Sequence, residues 1–167
     1  NTNTEIATFT SPTTIRNDKK LVIKTRSGFY DLKNKRAELY KRSVIDDSSY
    51  TMTADDMALD SISGLSEFRG NAVYRGKDST MGFDLIANNI KTNNKKNSLL
   101  ATQSPLLLLK QDRDSIFIAA DTFYSAKLSD LLKIKNVPRV RDSIDFTFLT
   151  DTTKEDSTDK YFEAYYN

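Results

Sequence analysis

The chain has no cysteine and no histidine. The first absence excludes disulfides, thiolate chemistry and cysteine zinc sites, and it leaves the redox compartment open. The second removes the commonest general base and the commonest zinc ligand. Long apolar runs are missing as well. The longest aliphatic stretch is Leu106–Leu109, far too short to span a bilayer, and no signal-peptide pattern is present. Neither sign of charge dominates: 25 Lys+Arg stand against 23 Asp+Glu, a net of +2, with the two signs interleaved. No stretch is basic enough to argue for nucleic acid. There is no phosphate-cradling glycine loop, and no nucleophile has a base beside it.

What is present reads as β-strand. The chain of 167 residues is long enough for one domain with a real core. Its 38% hydrophobic and 29% charged content suits thin β layers with much exposed face. Short β-branched or aromatic runs recur, among them Lys20–Thr25, Tyr50–Ala54, Ala72–Arg75, Thr80–Asp84, Leu106–Lys110 and Ser115–Ala120. Turn residues separate them, such as Asn17-Asp18, Asp46-Asp47-Ser48, Gly76-Lys77-Asp78 and Asn93-Asn94. Many short strands at even spacing predict an all-β fold. Helix competes at Asp84–Ile90 and at Leu128–Ile134, where Ser129-Asp130 could cap it. Ile144–Leu149 alternates like a strand, and Thr150–Lys160 reads as a loop. Tyr161–Asn167 is strongly β-prone and would need a pairing partner. The first residue is Asn, as expected of a piece of a longer chain.

The strands repeat. Thr51-Met52 recurs as Thr80-Met81, an offset of 29 (80 − 51), and Asp55 to Asp84 and Val44 to Val73 share it. Upstream, Leu21–Thr25 fits the Tyr50–Ala54 slot, and Gly28-Phe29-Tyr30-Asp31 falls on Met57-Ala58-Leu59-Asp60. Downstream, Asp114–Asp121 repeats the strand-plus-Asp signature after 37 residues (121 − 84). About four units result, so residues 1–127 form a β-repeat domain and residues 128–167 a less regular extension.

Three stretches carry all or part of a pattern of small residue–Asn–Val–aromatic, polar turn, then apolar–x–Ala/Phe–Asp, apolar, Asp. They are Gly70-Asn71-Ala72-Val73-Tyr74 with Thr80–Asp84, Thr51–Asp60, and Ile118–Tyr124. This series resembles the OstA-like, or LptA-like, family over roughly residues 4 to 126, while 127–160 departs from it. The resemblance implies a β-jellyroll, or β-taco, of stacked short antiparallel strands folded over an apolar groove. It also implies a non-enzymatic role without cofactor in lipopolysaccharide transport and outer-membrane biogenesis. Acyl chains would lie in the groove, and similar domains would stack through their edge strands. The implied setting is the periplasm, in association with the outer membrane and its assembly machinery.

The residues themselves are compatible with such a groove. Strand alternation puts Met52 with Ala54, Met81 with Phe83, and Ile118 with Ala120 on one row. Val44, Val73 and Leu107 lie on the strands paired with it, with their parity open. These nine residues and Met57 are the candidate lipid-groove residues; no catalytic or metal residue is assigned. Methionine suits an adaptable lipid surface but serves equally as core filler. A structural or adhesive β module with a filled core is therefore the alternative. A third reading takes Asp55, Asp84 and Asp121 as a metal ladder or the acids of a polysaccharide-cleaving solenoid. Acids spread along a repeat do not converge on one cleft, which favours a turn and edge role. Arg42, Arg69 and Arg75 could meet lipid phosphates, against the plainer role of solubilising charge.

Overall fold

A computed structural model of the chain describes residues 5–16, 20–77, 82–110, 114–131 and 160–165. The fold is all-β and jellyroll-like. Its strands are β1 (Ile6–Phe9), β2 (Thr13–Arg16), β3 (Val22–Thr25), β4 (Ser27–Asp31), β5 (Arg36–Tyr40), β6 (Ser43–Asp46), β7 (Tyr50–Ala54) and β8 (Asp56–Asp60). Then follow β9 (Leu65–Gly76), β10 (Phe83–Asn93), β11 (Ser98–Thr102), β12 (Leu106–Lys110), β13 (Ser115–Ala119) and β14 (Thr122–Lys127). A single helical turn, α1 (Leu128–Leu131), and β15 (Lys160–Tyr165) complete the described elements.

All pairings are antiparallel, and they divide into two leaves of one folded sheet. Leaf A runs β1-β4-β5-β8-β9-β10-β11-β14-β15. Leaf B runs β2-β3-β6-β7-β9-β10-β12-β13. The long strands β9 and β10 belong to both. In β9, residues 66–69 pair β8 and residues 73–76 pair β7. In β10, residues 89–93 pair β11 and residues 83–86 pair β12, with a bulge between Ala87 and Asn89. The chain therefore makes a hairpin in one leaf, turns a corner, and makes the next hairpin in the other.

Corner chemistry explains the fold line. Lys41 and Arg42 (both φ 61°), Gly70 (72°), Asn71 (45°), Gln103 (62°) and Ser104 (61°) are left-handed there. Such residues redirect a strand without continuing its ladder. Successive corners bond to one another: Arg42 N–H donates to Asp55 O at 3.1 Å, and Asp55 N–H to Gly70 O at 3.0 Å. A Cβ on Gly70 would lie 2.8 Å from Asp55 Oδ2, so the close approach needs glycine. Beside this spine runs a buried row of small residues, Thr25, Ser43, Ala54, Ala72, Ala87 and Pro105. The leaves meet here, and larger side chains would wedge them apart.

Larger residues follow away from the spine. The register aligns Phe9, Gly28, Leu39, Met57, Phe68, Ile90, Ala101 and Phe123 across leaf A. It aligns Ile15, Ile23, Ile45, Met52, Tyr74, Leu85, Leu107 and Ile118 across leaf B. Members of both rows form one hydrophobic core.

These rows also correct the repeat length. Gly28, Met57, Ile90 and Phe123 are equivalent, at steps of 29, 33 and 33 (57 − 28, 90 − 57, 123 − 90). The offset of 29 holds for the first step, including Val44 to Val73 and Asp31 to Asp60. It fails afterwards, because the β9–β10 connection is longer than the β6–β7 one. Met52 is matched by Leu85, not Met81, and the corner residue Asp55 by Asn88 and Asp121, not Asp84. The turns carry the true period: Asp31, Asp60 and Asn93 each accept two backbone N–H bonds, from the residues two and three further on.

Asp84–Ile90 is strand, not helix. A buried neighbour on either side through β9 and β12 outweighs its poor alternation. Of the short helix or turn expected at Leu128–Ile134, Leu128–Leu131 is helical, and the remainder lies outside the described residues. Ile144–Leu149 and most of Thr150–Lys160 lie outside the described residues. The β-prone terminus forms β15 and finds its partner in β14, from Thr122↔Tyr165 to Lys127↔Lys160.

Candidate functional site

The two leaves are joined along the spine, and their hairpin turns lie opposite it. There, turn residues of both leaves line one cleft of about 150 Å³. Leaf B supplies Ser49, Tyr50, Tyr74 and Phe83, with Met52 at the base. Leaf A supplies Thr92, Asn93, Asn94, Asn97 and Ser98, with Phe68, Leu99 and Ser125 beneath them.

The leaf B wall is an aromatic ladder. Tyr50 on β7, Tyr74 on β9 and Phe83 on β10 are neighbours across the sheet. Their ring centroids are 5.1 Å and 5.4 Å apart, with interplanar angles of 15° and 17°. Strand spacing sets that separation. Gly76, directly opposite Tyr50, leaves space that the Phe83 ring fills. Burial, with the neighbouring Tyr50 and Asp47 adding to it, pushes the Tyr74 hydroxyl up to about 12. Burial and Asp47 also raise that of Tyr50. Both are neutral hydrogen-bond donors at any ordinary pH. On the facing wall, Asn93 Oδ1 is occupied by Lys95 N–H and Lys96 N–H at 3.0 and 3.1 Å, which leaves its NH₂ for other partners.

The candidate groove residues separate into groups. Met52 and Leu107 lie on the inward row of leaf B and are buried; Ile118, on the same row, is half-buried. Met57 faces inward on the leaf A row and is fully buried. Ala54 and Ala120 face inward close to the spine, where the leaves converge. Phe83 is half-buried at the cleft, and Met81 lies outside the described residues. Val44 and Val73 are the correction: they pair with Thr53, one residue out of phase with Met52, and so face outward. Adjacent apolar residues, Val44-Ile45 and Ala72-Val73, hide that parity in the sequence. Tyr50, Tyr74 and the Thr92–Ser98 turn were missed. The alternation of Tyr50, Met52 and Ala54 is the signal that would have placed Tyr50.

The three aspartates do not act together. Asp55 sits at a corner, where Asn71 Nδ2 (2.7 Å) and Arg42 Nη1 (3.0 Å) donate to it and hold its carboxyl below the usual range. Asp84 lies within β10 on the outer face, nearly buried. It accepts from Arg75 Nε at 3.1 Å and Lys110 Nζ at 3.0 Å, a bridge across β9, β10 and β12. Asp121 is at the β13–β14 corner. No group of three acids among the described residues could hold a metal ion. Arg42 and Arg75 are thus committed to acids, and Arg69 lies 3.8 Å from Glu67.

The sheet is unpaired at its margins among the described residues: β1 pairs only β4, β2 only β3 and β13 only β12. On β13, Ile116 and Phe117 are 43% and 67% exposed. No protein-family model matches the chain, and no curated protein matches it.

Proposed function

We propose that this chain is a non-enzymatic lipid-binding segment that holds acyl chains, those of lipopolysaccharide, between its two leaves. It works in the periplasm in association with the outer membrane, and similar domains stack on its unpaired margins. One observation carries this reading. Two continuous apolar rows face each other across the fold, and among the described residues only the spine joins the leaves by strand pairing. No strand pairing crosses the turn side among the described residues, so it can part without breaking one. Each methylene that enters would contribute up to about 0.8 kcal/mol, with no charged site needed. The edge strand β13, with its exposed Ile116 and Phe117, suits strand addition by a neighbouring domain. The resemblance of the repeats to the OstA-like family points the same way.

A photo-crosslinker at Phe83 should label lipopolysaccharide far more than one at Ile86, which faces outward on the same strand. Equal labelling at both positions would sink the proposal. The second reading, a structural module with a filled core, has its own observation. Leu39, Met52, Met57, Leu85 and Ile90 are at most 1% exposed. The cleft of about 150 Å³ is also smaller than the ~300 Å³ at which pockets for drug-sized ligands begin. Edge-to-edge oligomers with no lipid uptake would favour that reading.

A further inference from the structure

The chain is 29% charged, yet no charged side chain among the described residues lines the cleft. Its walls instead divide by chemistry. One is aromatic, the other carries amides and hydroxyls from Thr92, Asn93, Asn94, Asn97 and Ser98. An acyl chain would satisfy the first wall and strip water from the second without replacing its hydrogen bonds. A phosphate or carboxylate would find no cation among those lining residues. The remaining class has apolar C–H faces and a rim of neutral hydroxyls.

We propose that this cleft binds one ring of a neutral saccharide. The ring's C–H groups lie along the edge of the Tyr50–Tyr74–Phe83 stack, and its hydroxyls meet the side chains of the Thr92–Ser98 turn. Size limits the occupant: an open cleft of about 150 Å³, the volume of a cavity that holds benzene, takes no more than one sugar ring, part of it outside the cleft. The cleft opens at the turns of both leaves, so glycosidically linked neighbours extend outward. The hydroxyls of Tyr50 and Tyr74 make no hydrogen bond within the described residues and stay protonated far above neutral pH, ready to donate to sugar oxygens. Asn94 and Asn97 are exposed and supply paired donors and acceptors, the grouping that recognises vicinal hydroxyls. This inference does not rest on the lipid reading, because it needs the amides and hydroxyls of the Thr92–Ser98 turn, which an acyl chain would not use.

The test titrates the isotope-labelled chain with cellotriose, maltotriose and chitotriose, none of which carries an acyl chain, and follows amide resonances by NMR. At least one sugar should shift the amides of residues 92–98 saturably and independently of salt. Tyr74→Phe and Asn94→Ala should each weaken it about tenfold, as loss of one hydrogen bond would. Both retain the fold, since the first removes only a hydroxyl and the second changes an exposed turn residue. Silence from all three sugars, or shifts that survive both substitutions, overturns the proposal. So does a sulfated trisaccharide that binds more tightly than its neutral parent. Decyl maltoside below its micelle concentration separates the two readings. If it shifts the core methyls while maltotriose is silent, the saccharide inference falls and the acyl-chain reading stands.

Discussion

Replacing Gly28 by alanine tests the register on which the leaf A row depends. Gly28 occupies the position held by Met57, Ile90 and Phe123 in later units. A large apolar residue should be welcome there on sequence grounds. The backbone says otherwise. Gly28 has φ +153°, and a Cβ built on it lies 2.2 Å from the carbonyl oxygen of Glu38 and 3.0 Å from Leu39 Cα. Both are backbone atoms of β5, so no side-chain rearrangement relieves the clash. Strain at such a backbone costs about 2 kcal/mol, and forcing apart a packed strand pair costs about 2 kcal/mol more. A chain of this length loses roughly 2–4 °C of Tm per kcal/mol, so Gly28→Ala should melt about 8–16 °C lower. Calorimetry measures the shift. Amide exchange should place the damage in β1, β4 and β5, because repeat units are stabilised by their neighbours. A drop below about 3 °C, or exchange that quickens equally in β11 and β14, would refute the geometry.

Leu85→Ala should destabilise by about 2–5 kcal/mol in urea unfolding, since Leu85 is fully buried at the centre of the leaf B row; a loss under about 1 kcal/mol would mean the interior is not packed there. In alkali, the phenol of Tyr74 should ionise near 12 when followed by ultraviolet absorbance, against an ordinary 10.0. Above pH 10 the unfolded tyrosine loses its proton while the folded one keeps it, so Tm should fall as pH rises from 10 towards 12; Tyr74→Phe should flatten that slope. In acid, the sign reverses. Asp46, Asp55 and Asp60 are held below 3.8 by Lys77, Asn71 and Ser63 respectively, and Glu67 below 4.5 by Asn89. Their contribution is full above those values and disappears as pH falls through the lowered folded ones, so Tm should decline on acidification below about 4.

Strand content, turn positions and the existence of a repeat were legible from local chemistry alone. Alternation marks Tyr50, Met52 and Ala54, and the matching of Asp31 with Asp60 marks two turns built on the same side-chain bonds. These are short-range properties, written in a few consecutive residues. The repeat's second step was not legible, because Thr80-Met81 copies Thr51-Met52 in letters while the longer β9–β10 connection shifts its place in the sheet. Nor was the facing of Val44 and Val73, where two apolar residues stand side by side and only the partner strand selects between them. The cleft is a third case. Tyr74 and Asn94 lie 20 residues apart (94 − 74) on different leaves, and nothing local joins them. Sequence by itself determined that this chain forms short ribbons in series, because pleat and turn preferences act within a few residues. Tertiary structure decided which side of each ribbon is interior and what meets across it. That follows from left-handed corners and from the folding of one leaf over the other, which no single stretch encodes.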